Sequence, residues 1–508
     1  MLGRTLSAGI PATEARAVSI RGSFLVAKAP AGALHATGQG VRAERDVRLR
    51  PMAMCAPIRF TAMAITWIQR GSATVGASIQ AGRDLQHWET PLDAGSAGDG
   101  PDRGSPDSLA GRTGTGLVWV GSAECARIEL TVPGGTELSD MRAVYLNTEG
   151  TARGPAPRPS LGWGPRAILG ITSAEAMTRQ PSIITRAQWG ANERYRNCGP
   201  YYSPRVKMAF VHHTANANGY TRAQSPGIVR AIYWYHTKSL GWCDIAYNFL
   251  VDKYGQIFEG RYGGMTKPVM PGATKGFNTN SVAVSAIGNY QIARPTSGLI
   301  RGIERVLAWR LDWAHVDPTA SVWMMSRGST GNKYPPGQWV RFRTIAGHRD
   351  AGYTSCPGKY LYAYLRTIRS VVYKTGLPKI FNAKQSPNHF ITGQGSVTWK
   401  ATASATMRWK LRVLDAGDQV IRGWSRSGQT FSLTWDGLTG QGDAVPPGVY
   451  HVVLQAWNVT GQARAAGFVL NIVPVPPCPS PSPTPSPSPS PSLSGSPCPS
   501  PTPSPSSS

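Results

Sequence analysis

The stretch TARGPAPRPSLGWGPR, residues 151–166, is dense in proline and glycine and carries no apolar period. Such a run neither continues a helix nor sits inside a sheet, so it divides the chain into parts that must each bury a core of their own. A second break comes at Pro474, where PVPPCPSPSPTPSPS opens a tail without a charged residue. That tail has too little apolar surface to fold, and reads as an extended polyproline-like spacer or an O-glycosylated stalk. With 508 residues the chain exceeds what one core supports, and about two to four domains are expected.

Between these breaks the pattern changes twice. Residues 20–148, after an unassigned N-terminus at 1–19, carry the runs FTAMAITWIQ, ATVGASIQAG, TGLVWVGS and ARIELTVPG separated by Gly, Asp and Ser. They read as short strands of a β-sandwich. A linker is expected over 149–180. Residues 181–376 mix the two periods: VKMAFVHH alternates as a strand, and AYNFLVDKYGQIFEG reads as a hairpin turning near Tyr254-Gly255. SVAVSAIG reads as a buried strand and LIRGIERVLAWRLDWA as an amphipathic helix. SPGIVRAIYWYHTKSL reads as a helix with Ser225 as N-cap and Pro226 at its first position. A linker over 377–392 leads to strands again over 393–473, an Ig-like sandwich with a turn at Trp435-Asp436-Gly437, and the tail occupies 474–508.

Lys and Arg number 53 against 27 Asp and Glu, a net charge of +26. This balance favours anionic partners, including the anionic polymers of a bacterial envelope. No basic block with interleaved aromatics and no nucleic-acid motif accompanies it, so nucleic acid is not an expected partner. No run approaches the ~18 apolar residues of a membrane span. The N-terminus also lacks the apolar segment of a signal peptide, which by itself would suggest a cytoplasmic protein.

The seven cysteines point the other way. They fall by region into Cys55/Cys125, Cys198/Cys243 and Cys478/Cys498, with Cys356 left over. Local pairs suit an oxidising compartment, with one thiol kept for another task. Connectivity stays open at this level; seven unpaired thiols would account less well for two cysteines within a Ser-Pro tail. A secreted or wall-associated location is expected, with the true start lying upstream of Met1.

Five of the nine histidines, His212, His213, His236, His315 and His348, fall in 181–376 together with Cys356. His212 and His213 are adjacent at the end of an apolar strand, so their side chains point to opposite faces and only one can serve a given site. Periodicity does not choose between them. His348 lies eight residues before Cys356 in the loop TIAGHRDAGYTSCPG. One strand histidine plus this His and Cys would make three ligands and leave a fourth tetrahedral position open, as in catalytic zinc sites. Spacing alone does not separate such a pair from polar loop residues satisfied by their neighbours.

FVHHTA, GWCDIAYNFLVDKYGQIFEGR, GFNTNSVAVSAIGNY and GHRDAGYTSCPG, in this order over residues 183–375, resemble the peptidoglycan recognition protein and type 2 N-acetylmuramoyl-L-alanine amidase family. The resemblance implies a multidomain protein with a central α/β zinc amidase domain, a mixed sheet flanked by helices, between two all-β sandwich-like domains. It implies a Zn²⁺ held by His212, His348 and Cys356. It makes Tyr247 the active-site tyrosine, and places Thr354 where recognition proteins carry threonine and phage enzymes lysine. It suggests His236, Asn248 and Arg261 as substrate contacts, a supporting role for His213, a structural one for His315, and a Cys198–Cys243 bond pinning the site. Residues 20–148 resemble the β-rich domain that often precedes such amidases in secreted proteins, and 395–473 the Ig-like module of flagellar-hook-capping type. The implied activity is cleavage of the bond between N-acetylmuramic acid and L-alanine in peptidoglycan, by a monomer that anionic wall polymers would retain. Its rivals are a noncatalytic recognition module using the same groove and a wall-associated scaffold or adhesion protein.

Overall fold

In the computed structural model the described residues are 14–37, 40–71, 74–94, 100–102, 104–107, 111–148, 178–329, 331–391 and 393–474. The tail from 475, with Cys478 and Cys498, and most of the 149–180 linker lie outside them.

The N-terminal region differs from the expected sandwich. It is one ten-stranded sheet with antiparallel pairings throughout, and it already begins at Glu14–Ser19. Its strands are long: Met52–Arg70 runs 19 residues, and Val118–Val132 joins two runs that the sequence pattern separates. Register shifts between Cys55 and Phe60 and between Ser139 and Arg142 mark bulges. Bulges bend a strand, so one sheet curls over its own apolar face instead of pairing with a second sheet. The run from Phe60 to Trp67 is buried on both faces. Met63, Ile65 and Trp67 enter the sheet's own core, while the small Ala62 and Ala64 pack with residues of the central domain. This two-sided burial replaces the clean alternation of a half-exposed strand.

The central domain carries the expected mixed sheet. Its order is Ile183–Ile184, Ile257–Glu259, Phe249–Val251, Ser281–Ala286, Met208–His213 and Ile345–Gly347. All neighbours are parallel except the hairpin pair Phe249–Val251 and Ile257–Glu259. The helix Ser225–Trp234 packs on one face with Leu250, Phe258 and Ala283. Helices Ser297–Trp313 and Lys359–Lys374 cover the other, with Val211, Phe249 and Val284. Ser225 is the first residue inside its helix and not the N-cap. Its hydroxyl is drawn away to Asp252, donating to Oδ2 at 2.7 Å.

The C-terminal region is also one curled sheet, of seven strands, in place of a sandwich. Val397–Leu414 and Val420–Trp435 pair along their length with a bulge between Thr402 and Met407, and wrap a core that includes Trp399, Trp409 and Trp435. The segment 377–392, expected as a linker, supplies two strands of this sheet, Ile380–Ser386 and His389–Ile391. Arg464 joins the sheet to the central domain, pairing with Asp312 at 3.4 Å and lying over the Trp313 ring at 4.1 Å. His315, beside this junction, has Nδ1 3.2 Å from the Ile380 carbonyl oxygen.

The N-terminal sheet is fastened to the central domain by more than apolar contact. Tyr235 donates its hydroxyl to the Thr115 carbonyl at 2.6 Å. Asp107 pairs with Arg261 at 2.6 Å, with side chains 1% and 4% exposed. Removing one partner of a buried pair strands the other charge, which costs roughly 3–5 kcal/mol. Asp107→Ala is therefore expected to lower the stability seen in chemical denaturation by about that amount; a change within the scatter of the wild type would contradict the assignment.

Candidate metal centre

Ligands of open α/β sheets gather at the carboxyl ends of parallel strands, and two adjacent ends meet here. His212 lies at the end of Met208–His213. His348 follows directly on Ile345–Gly347, which pairs beside it. Strand alternation sends His212 to the face of Met208 and Phe210, and His213 to the face of Ala209 and Val211. A side chain at Gly347 would meet Tyr362 and Pro357 within 2.9 Å, so any larger residue there would push against the helix and loop that follow His348.

Cys356 returns on the loop that follows. Its backbone N–H donates to Thr354 Oγ1 at 3.2 Å, and its carbonyl accepts from Arg349 at 2.7 Å. The ligand atoms of His212, His348 and Cys356 then lie within 4.8 Å of one another, all buried. Cys356 Sγ is 3.7 Å from His212 Nδ1, and the two imidazole rings are 4.7 Å apart. A thiolate with two neutral imidazoles suits zinc, and three donors leave one tetrahedral position for water or substrate. A second group, Asp107, Cys198 and Cys243, offers no thiolate, because its cysteines form a disulfide. Cys55 and Cys125 form another, and Cys356 lies outside both.

His212 and His213 contribute differently. Around His212, Nδ1 faces the thiol while Nε2 lies 3.1 Å from Thr274 Oγ1, a partner able to fix the ring and its tautomer. His213 serves the cluster through its main chain, whose N–H donates to Cys356 Sγ at 3.3 Å. Its imidazole Nδ1 accepts from Tyr290 N–H at 3.2 Å.

Tyr247 is 3% exposed, with its ring 5.5 Å from His212 and 5.9 Å from His236. The helix expected through Leu240 loosens into a π-helical turn at Tyr235–Ser239, a distortion common at functional sites. It sets His236 4.6 Å from the Trp242 ring, with Nδ1 accepting from Ala246 N–H at 3.1 Å. Thr354 is half-buried, with its hydroxyl on the Cys356 main chain. Asn248 and Arg261 are engaged in the frame. Asn248 accepts from Ala283 N–H at 2.8 Å and donates to the Val269 carbonyl at 2.9 Å. Arg261 donates to Asp107 and to the Ile245 and Met270 carbonyls. Thr274 and Trp242 escape sequence reasoning, since nothing in their spacing distinguishes them from other loop residues.

Residues 202–359 match the family described as N-acetylmuramoyl-L-alanine amidase, and residues 386–459 match the FlgD Ig-like domain. Peptidoglycan-recognition protein SC2 of Drosophila melanogaster is 29% identical over 202 residues, covering 40% of this chain and 89% of that protein. Peptidoglycan recognition protein 1 of Bos taurus is 28% identical over 206 residues, covering 41% and 92%. A solved structure of peptidoglycan recognition protein LE in complex with tracheal cytotoxin is 27% identical, covers 36% of this chain and 92% of its own, and has a TM-score of 0.29.

The geometry divides the two adjacent histidines experimentally. His212→Ala and Cys356→Ala should each lose bound zinc in elemental analysis of purified protein, and His213→Ala should keep close to the wild-type stoichiometry. Equal loss from His212→Ala and His213→Ala would contradict the division.

Proposed function

We propose that the central domain, a member of the peptidoglycan recognition protein and type 2 N-acetylmuramoyl-L-alanine amidase family, hydrolyses the amide between N-acetylmuramic acid and L-alanine in peptidoglycan. The observation that carries this reading is the buried His212, His348 and Cys356 cluster. A module that only binds muropeptide has no need of three metal donors in one place.

When bound, zinc supplies Lewis-acid polarisation of the scissile carbonyl and activation of water at neutral pH. His212, His348 and Cys356 would hold it, and two imidazoles with one thiolate would leave it enough positive charge for this chemistry. Tyr247, beside His212 and His236, is assigned to donate a hydrogen bond to the oxyanion that develops on the substrate carbonyl. Thr354 holds the Cys356 backbone, and so the sulfur, in place. His236, packed between the Trp242 and Tyr247 rings, is the candidate substrate contact nearest to that tyrosine. The two disulfides among the described residues support an extracellular or wall-associated setting. The charge of +26 supports retention on an anionic wall.

Digestion of purified peptidoglycan tests the reading. The wild type should release L-alanine amino groups without new reducing sugar ends, and Cys356→Ala should release none. Tyr247→Phe should retain zinc while kcat falls by about 10²–10³-fold, the usual effect of losing one oxyanion donor. New reducing ends would indicate a glycosidase, and binding without release would leave a recognition module.

A further inference from the structure

The loop that carries Thr274 is built jointly by two domains. Asn278 accepts at Oδ1 from the backbone N–H groups of Ala273 and Thr274, each at 2.8 Å. One side chain thereby sets the turn that presents the Thr274 hydroxyl to His212. The Asn278 amide nitrogen in turn donates to Asp102 Oδ1 at 2.7 Å and to the Gly100 carbonyl at 3.1 Å. Asp102 Oδ1 also accepts from Gly276 N–H at 2.7 Å. Asp102 and Gly100 belong to the N-terminal part of the chain, Asp102 lying 174 residues from Gly276 in sequence. The path is dry throughout: Asp102 is 4% exposed, Asn278 and Thr274 1%, and His212 0%. Burying a carboxylate among so few partners is costly. Oδ2 of Asp102 has no hydrogen-bond partner, so its placement is not explained by its own stability.

We infer that Asp102, supplied by the N-terminal sheet domain, is a positioning residue for the metal ligand His212, acting through Asn278 and Thr274. Partners behind a metal-bound histidine fix its tautomer and orientation, and losing one typically weakens metal binding by about 10- to 100-fold. Here the outermost partner comes from a different domain. Without it the Gly276 N–H is orphaned, Asn278 loses an acceptor, and the turn no longer holds the Thr274 hydroxyl 3.1 Å from His212 Nε2. The inference deepens the hydrolase reading above and rests on it for its catalytic consequence.

The test uses the full chain and measures zinc affinity by competition with a chromophoric chelator, beside the melting temperatures of metal-free and zinc-loaded protein. Asp102→Ala should weaken zinc binding by roughly 10- to 100-fold and reduce the rise in melting temperature on adding zinc. Asp102→Asn keeps an acceptor oxygen and should recover most of the affinity. Thr274→Val should weaken binding, and adding Asp102→Ala to it should weaken it little further, because residues acting in series are not additive. Equal falls in both melting temperatures with zinc affinity unchanged would overturn the inference, as would additive losses in the double variant. If Asp102→Ala does not fold, Asp102→Ser is compared in its place, being too short to reach both donors. Zinc affinity is read without substrate, which separates the two readings. A wild type that binds zinc and releases no amine defeats only the hydrolase reading. Unchanged affinity in the Asp102 variants defeats only the positioning role.

Discussion

The central sheet is dry on both faces, and the rest of the site depends on that. With a helix on one side and two on the other, side-chain parity along Met208–His213 carries real consequences, since a slip of one residue would exchange the histidines. The parallel pairing with Ile345–Gly347 then brings a second strand end beside the first. His212 and His348 meet because each follows directly on the paired residues Val211 and Gly347, and the loop after His348 need only fold back far enough to add Cys356. A cluster of three potential metal donors at this edge follows from sheet topology plus one short return.

Much of this is legible in the residues. The apolar run into His212-His213, the hairpin around Gly255 and the His348–Cys356 loop all lie in short segments whose local pattern matches their structure. The choice of His212 needed more than alternation. Parity places the two histidines apart without saying which face will carry the thiol, and only the resemblance, later matched by the geometry, decides. The flanking sheets were harder to read for a different reason. Met52–Arg70 is covered on both faces over its middle third, which erases the period that separates a long strand from several short ones. Bulges then let one sheet do the work of two. Asn248 and Arg261 look from sequence like polar hairpin residues free to meet a substrate; the carbonyls that engage them lie in nearby loops, and the Asp107 carboxylate comes from 154 residues away.

Charge placement at the domain boundary follows the same logic. Asp107 pairs with Arg261 and accepts from Cys243 N–H at 3.0 Å, so one N-terminal carboxylate touches both the end of the central hairpin and a disulfide cysteine. Burial raises the pKa of Asp102, against the hydrogen bonds from Gly276 and Asn278. Two acids from one short segment thus face the central domain, one neutralised by an arginine and the other held mainly by neutral donors. Neither would be satisfied in an N-terminal sheet standing alone.

The small alanines on the outer face of Met52–Arg70 bear on how such a chain could evolve. Ala62 and Ala64 let the sheet lie close against its neighbour, and a surface shaped that way has no good exposed alternative. A gene rearrangement that lifted the central domain into a new architecture would leave behind half of a shared interior. The N-terminal sheet and the central domain are therefore expected to be inherited as one cassette, even where the modules around them are exchanged.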